Sequence, residues 1–190
     1  CSAQDRLDGF CEAGGEGELL NGRDHAFLRA IKKRLPSHPE VDLGCVGEPV
    51  AIDAVHAHEI LDRHRIPLIA PVACGCGADA GTLYNINGDT AAALVARDLH
   101  AEKIVFFFDL EGIRRDRNDA ETQISHLGKA EALGLMKSGV IDGGMIPKVD
   151  ACLNALAGGV PKAHVVPGHA PHALLLEIFT ETGVGTEIVL

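Results

Sequence analysis

Short apolar runs in this chain alternate with longer segments in which apolar residues recur every three or four positions. Runs rich in branched or aromatic side chains cover residues 66–72 and 103–108, and a glycine loop or a helix-like segment follows each of them. Such runs are typical of strands that are covered on both faces, so we predict two buried strands there. Two further strands are predicted at residues 162–166 and 186–190.

The segments with helical spacing lie between and after these runs. Their apolar residues fall on one face of a helix with 3.6 residues per turn, and Pro147 is suited to a first helical turn, where an amide hydrogen has no partner. Alternating strands and helices predict an α/β fold in which helices sandwich a mainly parallel sheet. The predicted helices cover residues 55–63, 90–99, 130–137, 147–157 and 172–179.

Three segments show neither a continuous apolar run nor helical spacing. Residues 75–82 are too rich in glycine for a central strand, and we predict a surface hairpin or flap there. Residues 114–120 carry mixed charges and are predicted to form an exposed loop. Residues 1–17 show no clear periodicity, so we expect this end to be frayed.

Composition argues against several classes of protein. The chain has 190 residues, of which 46% are hydrophobic, so it can bury one sizeable core, but no apolar run reaches the length of a membrane span. The formal net charge of -10 argues against a nucleic-acid surface, because phosphate backbones require clustered Lys and Arg. Aromatic residues make up 4% of the chain and Trp is absent, so stacking platforms for bases are not expected.

The six cysteines have irregular spacing. Because the core is ample, reduced thiols in a cytoplasmic protein are favoured over a disulfide scaffold. Cys74 and Cys76 are separated by one residue, whereas zinc knuckles usually have two or more between them. His56, His58 and His64 lie around a polar helix face, where solvation is the simpler explanation. We therefore predict no metal site.

The residues best suited to chemistry occupy two turns that precede helices. Asn85 and Asp89 lie in the segment Tyr-Asn-Ile-Asn-Gly-Asp, before an alanine-rich run, and Lys148 closes the segment Asp-Gly-Gly-Met-Ile-Pro-Lys. The amides and the dipole at a helix start favour anions, and a lysine there adds a full positive charge. Phosphoryl transfer requires positioning and positive charge rather than covalent chemistry, so this set suits it. A Walker-type phosphate loop is absent, which excludes P-loop enzymes as the pattern.

These two segments closely resemble the acetylglutamate kinases of the amino-acid kinase family. The resemblance implies the carbamate kinase-like fold and the ATP-dependent phosphorylation, with Mg²⁺, of the side-chain carboxylate of N-acetyl-L-glutamate, a step of arginine biosynthesis. It also implies a cytoplasmic enzyme that forms a homo-oligomer when full length. The matching segments follow the family's order and cover residues 42–48, 66–71, 84–89, 108–112, 142–149 and 171–177.

The resemblance also implies roles for individual residues. Lys148 stabilises the transferring phosphoryl group, Asp89 orients the catalytic lysines, and Asn85 contacts the acetylated substrate. From the residues alone, Asp89 is a helix N-cap, Asn85 closes an Asx turn, and Asn87 could exchange roles with Asn85. Nucleotide contacts are implied for Asp109, Leu110, Glu111, Gly112, Ile113, Arg114, Val140, Ile141 and Asp142.

The sequence departs from the family in two places. The residue before Asp109 is usually small and hydroxylic, but here it is Phe108, which removes a hydrogen-bond donor and adds bulk. The lysine and the glycine pairs with which such kinases open are not found. We therefore expect the C-terminal part of a longer enzyme, inactive by itself. We expect residues 1–50 to be a remnant of the substrate lobe and residues 51–190 to form the nucleotide lobe.

A second group of residues lies near the end of the chain. His164, Glu177 and Gly183 match positions that form an arginine pocket in the arginine-inhibited members of the family, so L-arginine is a candidate inhibitor. The same fold also occurs as a catalytically silent, arginine-binding regulatory domain in acetylglutamate synthases, which is the alternative interpretation. Retention of both Asp89 and Lys148 favours the kinase. A kinase for a related carboxylate, such as a carrier-bound aminoadipate, is a third interpretation.

Overall fold

The computed structural model describes residues 3–23, 26–109, 112–116, 119–180 and 183–190. It divides the chain into two compact units, Cys1–Leu99 and His100–Leu190. Val50, near which we expected a boundary, lies inside the strand Gly47–Ile52 of the first unit. The structural division therefore comes about fifty residues later, while the assignment of substrate and nucleotide lobes stays a prediction. Within the described residues, no helix is both long enough and apolar enough to cross a membrane.

The first unit contains three helices and six strands within its described residues. A turn of 3-10 helix, Gly77–Asp79, connects the fifth and sixth strands. The elements are α1 Ala3–Glu12, β1 Gly17–Leu20, β2 Leu28–Lys32, β3 Gly47–Ile52, α2 Ala54–Asp62, β4 Ile66–Ile69, β5 Val72–Gly75, β6 Leu83–Asn85 and α3 Gly88–Asp98.

Two sheets form in this unit. β1 and β4 pair in parallel, and the other four strands have the order β3-β2-β5-β6. In the larger sheet β2 and β5 are parallel, while β3 and β6 are antiparallel to their neighbours. Pro49 lies in β3, which is tolerated because β3 is an edge strand and no partner is needed on its outer side.

The core of the first unit lies between these sheets and the inner faces of α2 and α3. Phe27 and Leu28 are completely buried, and Ile60 of α2 and Leu94 of α3 pack into the same cluster. The N-cap of α2 is Asp53, whose carboxylate accepts a hydrogen bond from the His56 amide at 3.1 Å. This N-cap satisfies one of the amides that the first helical turn leaves unpaired.

The second unit carries the remaining elements. A turn of 3-10 helix at Ala120–Thr122 precedes its second strand. The elements are β7 Lys103–Phe108, β8 His126–Gly128, α4 Lys129–Lys137, α5 Met145–Ala157, β9 Lys162–Pro167, α6 Ala173–Phe179 and β10 Thr186–Val189.

These strands form one sheet of order β7-β9-β10-β8. β7 pairs in parallel with β9, and β8 in parallel with β10, whereas β9 and β10 are antiparallel. Across both units four strand pairs of the described residues are parallel and three are antiparallel. The predicted α/β class with a mainly parallel arrangement is confirmed, although the strands form three sheets.

Most predicted elements are present, and the exceptions have physical reasons. The hairpin across residues 75–82 is confirmed, since β5 and β6 pair in antiparallel fashion. The expected fraying of residues 1–17 is wrong for the described part, where α1 packs against β1 through Leu7 and Phe10. The buried strand predicted at residues 66–72 is two strands, and Ile66 is 51% exposed because β4 belongs to a sheet of only two strands.

Candidate active site

Lys148 is the fourth residue of α5, the helix that follows the glycine pair. Gly143 has a φ of +51°, which turns the chain into the helix and which most other residues avoid. The N-cap of α5 is Gly144, which has no side chain that could accept a capping hydrogen bond. Met145 is buried and fixes the first turn, while Lys148 is half-buried. The positive end of the helix dipole and the Lys148 ammonium therefore lie within one turn of each other.

A pocket of about 160 Å³ adjoins this helix start. Its lining comes from the carboxyl end of β7, through Phe108 and Asp109, and from Gly144, Met145 and Lys148 of the α5 region. The Lys148 Nζ lies 5.2 Å from the centroid of the Phe108 ring. In open α/β sheets ligands collect at the carboxyl ends of strands, and this pocket has that position.

The residues implied for nucleotide contact have two different environments. Ile113 and Ile141 are completely buried, so their side chains are part of the core. The Ile113 amide donates a hydrogen bond to the Thr186 hydroxyl at 3.2 Å. The remaining implied residues are exposed Asp109, buried Gly112 and half-buried Arg114, Val140 and Asp142, whereas Leu110 and Glu111 lie outside the described residues.

Asn85 and Asp89 belong to the first unit. Asn85 is the last residue of β6. Its backbone amide donates a hydrogen bond to the Cys45 carbonyl at 2.8 Å, and its side chain is exposed. The helix cap is Asn87, whose side-chain oxygen accepts a hydrogen bond from the Thr90 amide at 3.0 Å. The expected capping role of Asp89 is therefore wrong, because α3 begins one residue earlier and places the half-buried Asp89 in its first turn. The capping bond also occupies the Asn87 oxygen.

The residues implied for arginine are brought together. His164 Nδ1 lies 2.8 Å from Glu177 Oε1, and both side chains are buried. Glu177 Oε2 accepts hydrogen bonds from the amides of Val184 at 2.8 Å and Gly185 at 2.9 Å. Gly183 has a φ of +62°, and a Cβ added there would lie 2.6 Å from Glu177 Oε2, so the turn requires glycine.

The hydrogen bonds of Glu177 also determine its acidity. Burial is the largest influence and raises the pKa of Glu177. The hydrogen bonds from His164, Val184 and Gly185 together outweigh burial, so the pKa of this carboxyl is lower than its ordinary value. Glu177 is therefore ionised near neutral pH although it is buried.

A cavity of about 350 Å³ adjoins this cluster, and part of its lining was missed from the sequence. Glu187 accepts hydrogen bonds from Lys162 at 2.6 Å and from His126 at 2.8 Å, and the Lys162 bond is the main reason that the pKa of Glu187 is lowered. Glu187 is opposite His164 in the β9–β10 ladder and opposite His126 in the β8–β10 ladder. These pairings depend on strand register, so no local signal in the sequence indicated them.

Known proteins resemble this chain in sequence and in fold. A profile described as the amino acid kinase family matches residues 7–167. The chain belongs to the amino acid kinase family. The acetylglutamate kinase of Heliobacterium modesticaldum is 42% identical over 182 residues, which is 93% of this chain and 61% of that protein. The chain spans about three fifths of the length of the curated acetylglutamate kinases it matches.

Solved structures of the family are similar in fold. The N-acetylglutamate synthase of Neisseria gonorrhoeae, crystallised with coenzyme A and L-arginine, has a TM-score of 0.78 and 27% sequence identity, over 92% of this chain and 38% of that chain. The carbamate kinase of Giardia lamblia, bound to AMP-PNP, has a TM-score of 0.61 and 17% identity, over 98% of this chain and 70% of that chain. The second similarity concerns the fold alone.

Proposed function

We propose that the protein containing this chain transfers the γ-phosphoryl group of ATP to the side-chain carboxylate of N-acetyl-L-glutamate. The observation that carries the proposal is the pocket at the carboxyl end of β7, which Asp109 and the Lys148 helix start line together. The similarity to acetylglutamate kinases across 93% of the chain supports the choice of substrate.

The reaction requires charge stabilisation and no general base. A carboxylate oxygen of the substrate forms a bond to the γ-phosphorus while the bond to the β–γ bridging oxygen breaks and ADP leaves. The attacking carboxylate is already ionised near neutral pH, because its reference pKa is about 4.3. Lys148 supplies positive charge where negative charge spreads over the phosphoryl oxygens.

Asn85 and Asp89 are proposed to act on the acceptor side. The exposed Asn85 amide has a donor and an acceptor for the acetylated amino acid. Asp89, fixed in the first turn of α3, is proposed to orient lysine side chains through ion pairs. Neither role requires Asp89 to accept a proton from the substrate.

The nucleotide is proposed to bind along residues 109–114 and 140–142 with Mg²⁺. Ile113 and Ile141 have buried side chains, and the Ile113 amide and carbonyl are paired with Thr186 and Ile124, so the contribution proposed for Ile113 is to the shape of this segment. Among the described residues no group of three or more His, Cys, Asp and Glu side chains is arranged for a metal ion. The Mg²⁺ is proposed to arrive bound to the phosphates of ATP, as is usual for this ion.

The complete gene product that contains this chain tests the proposal. Incubation with ATP, Mg²⁺, N-acetyl-L-glutamate and hydroxylamine should give the hydroxamate of the acyl phosphate, with one ADP formed per hydroxamate. N-acetyl-L-aminoadipate tests the interpretation in which the enzyme phosphorylates a related carboxylate. It should react more slowly than N-acetyl-L-glutamate. Absence of hydroxamate with every acceptor contradicts the kinase and favours a silent regulatory domain.

Two further parts of the proposal concern the setting of the enzyme. Every cysteine that the structure describes is a free thiol, which suits the reducing cytoplasm. A homo-oligomer is proposed for the complete protein from its resemblance to the family, and sedimentation velocity measures it directly.

We propose regulation by L-arginine at the Glu177 cavity as a second function. The cavity is lined by carboxylates of Glu177 and Glu187 and by ammonium groups of Lys103 and Lys162, a mixture that suits an amino acid with a cationic side chain. His164 Nδ1 donates to Glu177, and its buried Nε2 lies 4.0 Å from Glu187 Oε1 and has no hydrogen-bond partner among the described residues. A polar group of a ligand in the cavity would give Nε2 a partner.

Arginine should therefore raise the free energy of unfolding by about 2.7 kcal/mol at a concentration one hundredfold above its dissociation constant. Lysine should do much less, because a compact ammonium cannot match the planar guanidinium contacts. Thermal unfolding with each amino acid measures the difference. Glu187→Gln should reduce the arginine effect, while the same change at the exposed Glu102 should leave it intact. Equal shifts with arginine and lysine would mean that the effect is nonspecific.

A further inference from the structure

Phe108 is the last residue of β7, and its backbone is held against β9. It is opposite Pro167 in the parallel ladder with β9, and its carbonyl accepts a hydrogen bond from the Gly168 amide at 2.6 Å. Its side chain is 5% exposed, whereas the neighbouring Phe107 on the opposite face is 49% exposed. The position of the Phe108 ring is therefore fixed by the strand and by the packing around it.

Lys148 reaches this ring from α5, which packs against β7. The Nζ atom lies over the ring, 5.2 Å from its centroid, within the distance of about 6 Å at which a cation is attracted by the negative face of an aromatic ring. The pocket that Phe108 and Lys148 line together also contains Asp109, the residue after the ring. The contact is thus made inside the candidate site.

We propose that Phe108 is a positioning residue for Lys148, and that its ring holds the lysine ammonium in the phosphoryl-binding pocket by a cation–π contact. The inference rests on the proposed kinase function and adds to it a device that orders the lysine. Lys148 touches the phosphoryl group, while Phe108 acts only through Lys148.

The physical advantage lies in the flexibility of the lysine side chain. A four-carbon stem has many rotamers, and ordering it during catalysis costs conformational entropy. A ring that already orders the stem lowers this cost before ATP arrives. The ring accepts no conventional hydrogen bond and carries no formal charge, so the contact with it does not take up a hydrogen-bond donor of the ammonium.

A purely structural role for Phe108 makes different predictions. If the ring only filled space between β7 and α5, a leucine of similar volume would alter stability and leave the lysine environment and turnover unchanged. The test therefore uses Phe108→Leu, which removes the ring, and Phe108→Tyr, which keeps it. Phe108→Met is a second ring-free variant should the leucine protein fold poorly.

The first measurement is the NMR spectrum of the complete gene product with ¹³C-labelled lysine. We expect the ε-methylene protons of Lys148, assigned by their loss in Lys148→Met, to be shifted upfield by the ring current. The shift should disappear in the leucine and methionine variants and persist in the tyrosine variant. An ε-methylene resonance that is the same in the parent and in the ring-free variants overturns the contact, whatever the kinetics show.

The second measurement is steady-state formation of the acyl phosphate. Phe108→Leu should lower kcat about fivefold, with the KM for N-acetylglutamate unchanged, and Phe108→Tyr should restore kcat. Unchanged kcat in both ring-free variants overturns the positioning role even if the NMR shift is lost. If the parent protein forms no acyl phosphate, the proposed kinase function is overturned, and with it the role of Phe108 in phosphoryl transfer. The NMR shift then still shows whether Phe108 and Lys148 are in contact.

Discussion

Lys148→Ala in the complete gene product is expected to lower kcat for acyl-phosphate formation by about two orders of magnitude, on the order of 3 kcal/mol of transition-state stabilisation. The reason is that Lys148 lies at the start of α5 and lines the pocket that Asp109 also lines, which is where we propose that charge develops on the phosphoryl group. The KM for N-acetylglutamate should change little, because the interaction is strongest in the transition state. Steady-state kinetics with hydroxamate detection measures both quantities.

The matched control is Lys137→Ala, since Lys137 is an exposed lysine at the end of α4 in the same unit. Its turnover should equal that of the parent. Lys148→Arg keeps the charge but changes its shape and reach, so its kcat should lie between those of the parent and the alanine variant. If Lys148→Ala turns over like the parent while remaining folded, Lys148 is not the catalytic lysine.

The sequence predicts this region well because its information is local. Two glycines, a proline and a helical apolar pattern follow one another within a few residues, so the helix predicted at residues 147–157 is found, with its start two residues earlier, at Met145. The predicted strand at residues 103–108 is found with the same bounds. What the sequence cannot give is the Lys148–Phe108 contact, since the two residues come from elements that only the fold brings together.

The cap of α3 shows how local patterns can be ambiguous. Asn85, Asn87 and Asp89 are three suitable acceptors at alternate positions before the same alanine-rich run. Asn87 caps because its backbone is extended, with a φ of −62° and a ψ of 126°, while the helix begins at Gly88. The choice among the three depends on where the chain leaves β6, which the apolar pattern does not specify.

The strands that were missed depend on distant partners. β2 contains Arg29 and Lys32 among its apolar residues, and β3 contains Pro49, so neither has a clean strand pattern. They are stabilised by pairing with each other and by the pairing of β2 with β5. In the second unit the short strand β8 is likewise defined by its parallel pairing with β10. In these strands, pairing with partners that are distant in sequence outweighs the weak strand preference of the local sequence.

Glu177→Ala is expected to lower the free energy of unfolding by about 3–5 kcal/mol at neutral pH, the largest stability effect that we predict. The side chain is 4% exposed, and its carboxylate accepts from His164 and from the amides of Val184 and Gly185. Removing it leaves three donors without their partner, of which those of His164 and Gly185 are buried and that of Val184 is half-buried. Urea unfolding measures the loss, and Glu102→Ala, at an exposed glutamate of the same unit, should cost little.

The pH dependence separates the charge of Glu177 from its shape. Because the pKa of Glu177 is lower in the folded state, its stabilising contribution is complete above the ordinary glutamate value of 4.5 and is lost as the pH falls through the lower folded value. Glu177→Gln keeps the shape but not the charge, so it should be less stable than the parent at pH 7 and approach the parent's stability below pH 4.5. A constant difference between the two proteins across this range would mean that the packing of Glu177, rather than its ionised carboxylate, stabilises the turn that contains Gly183.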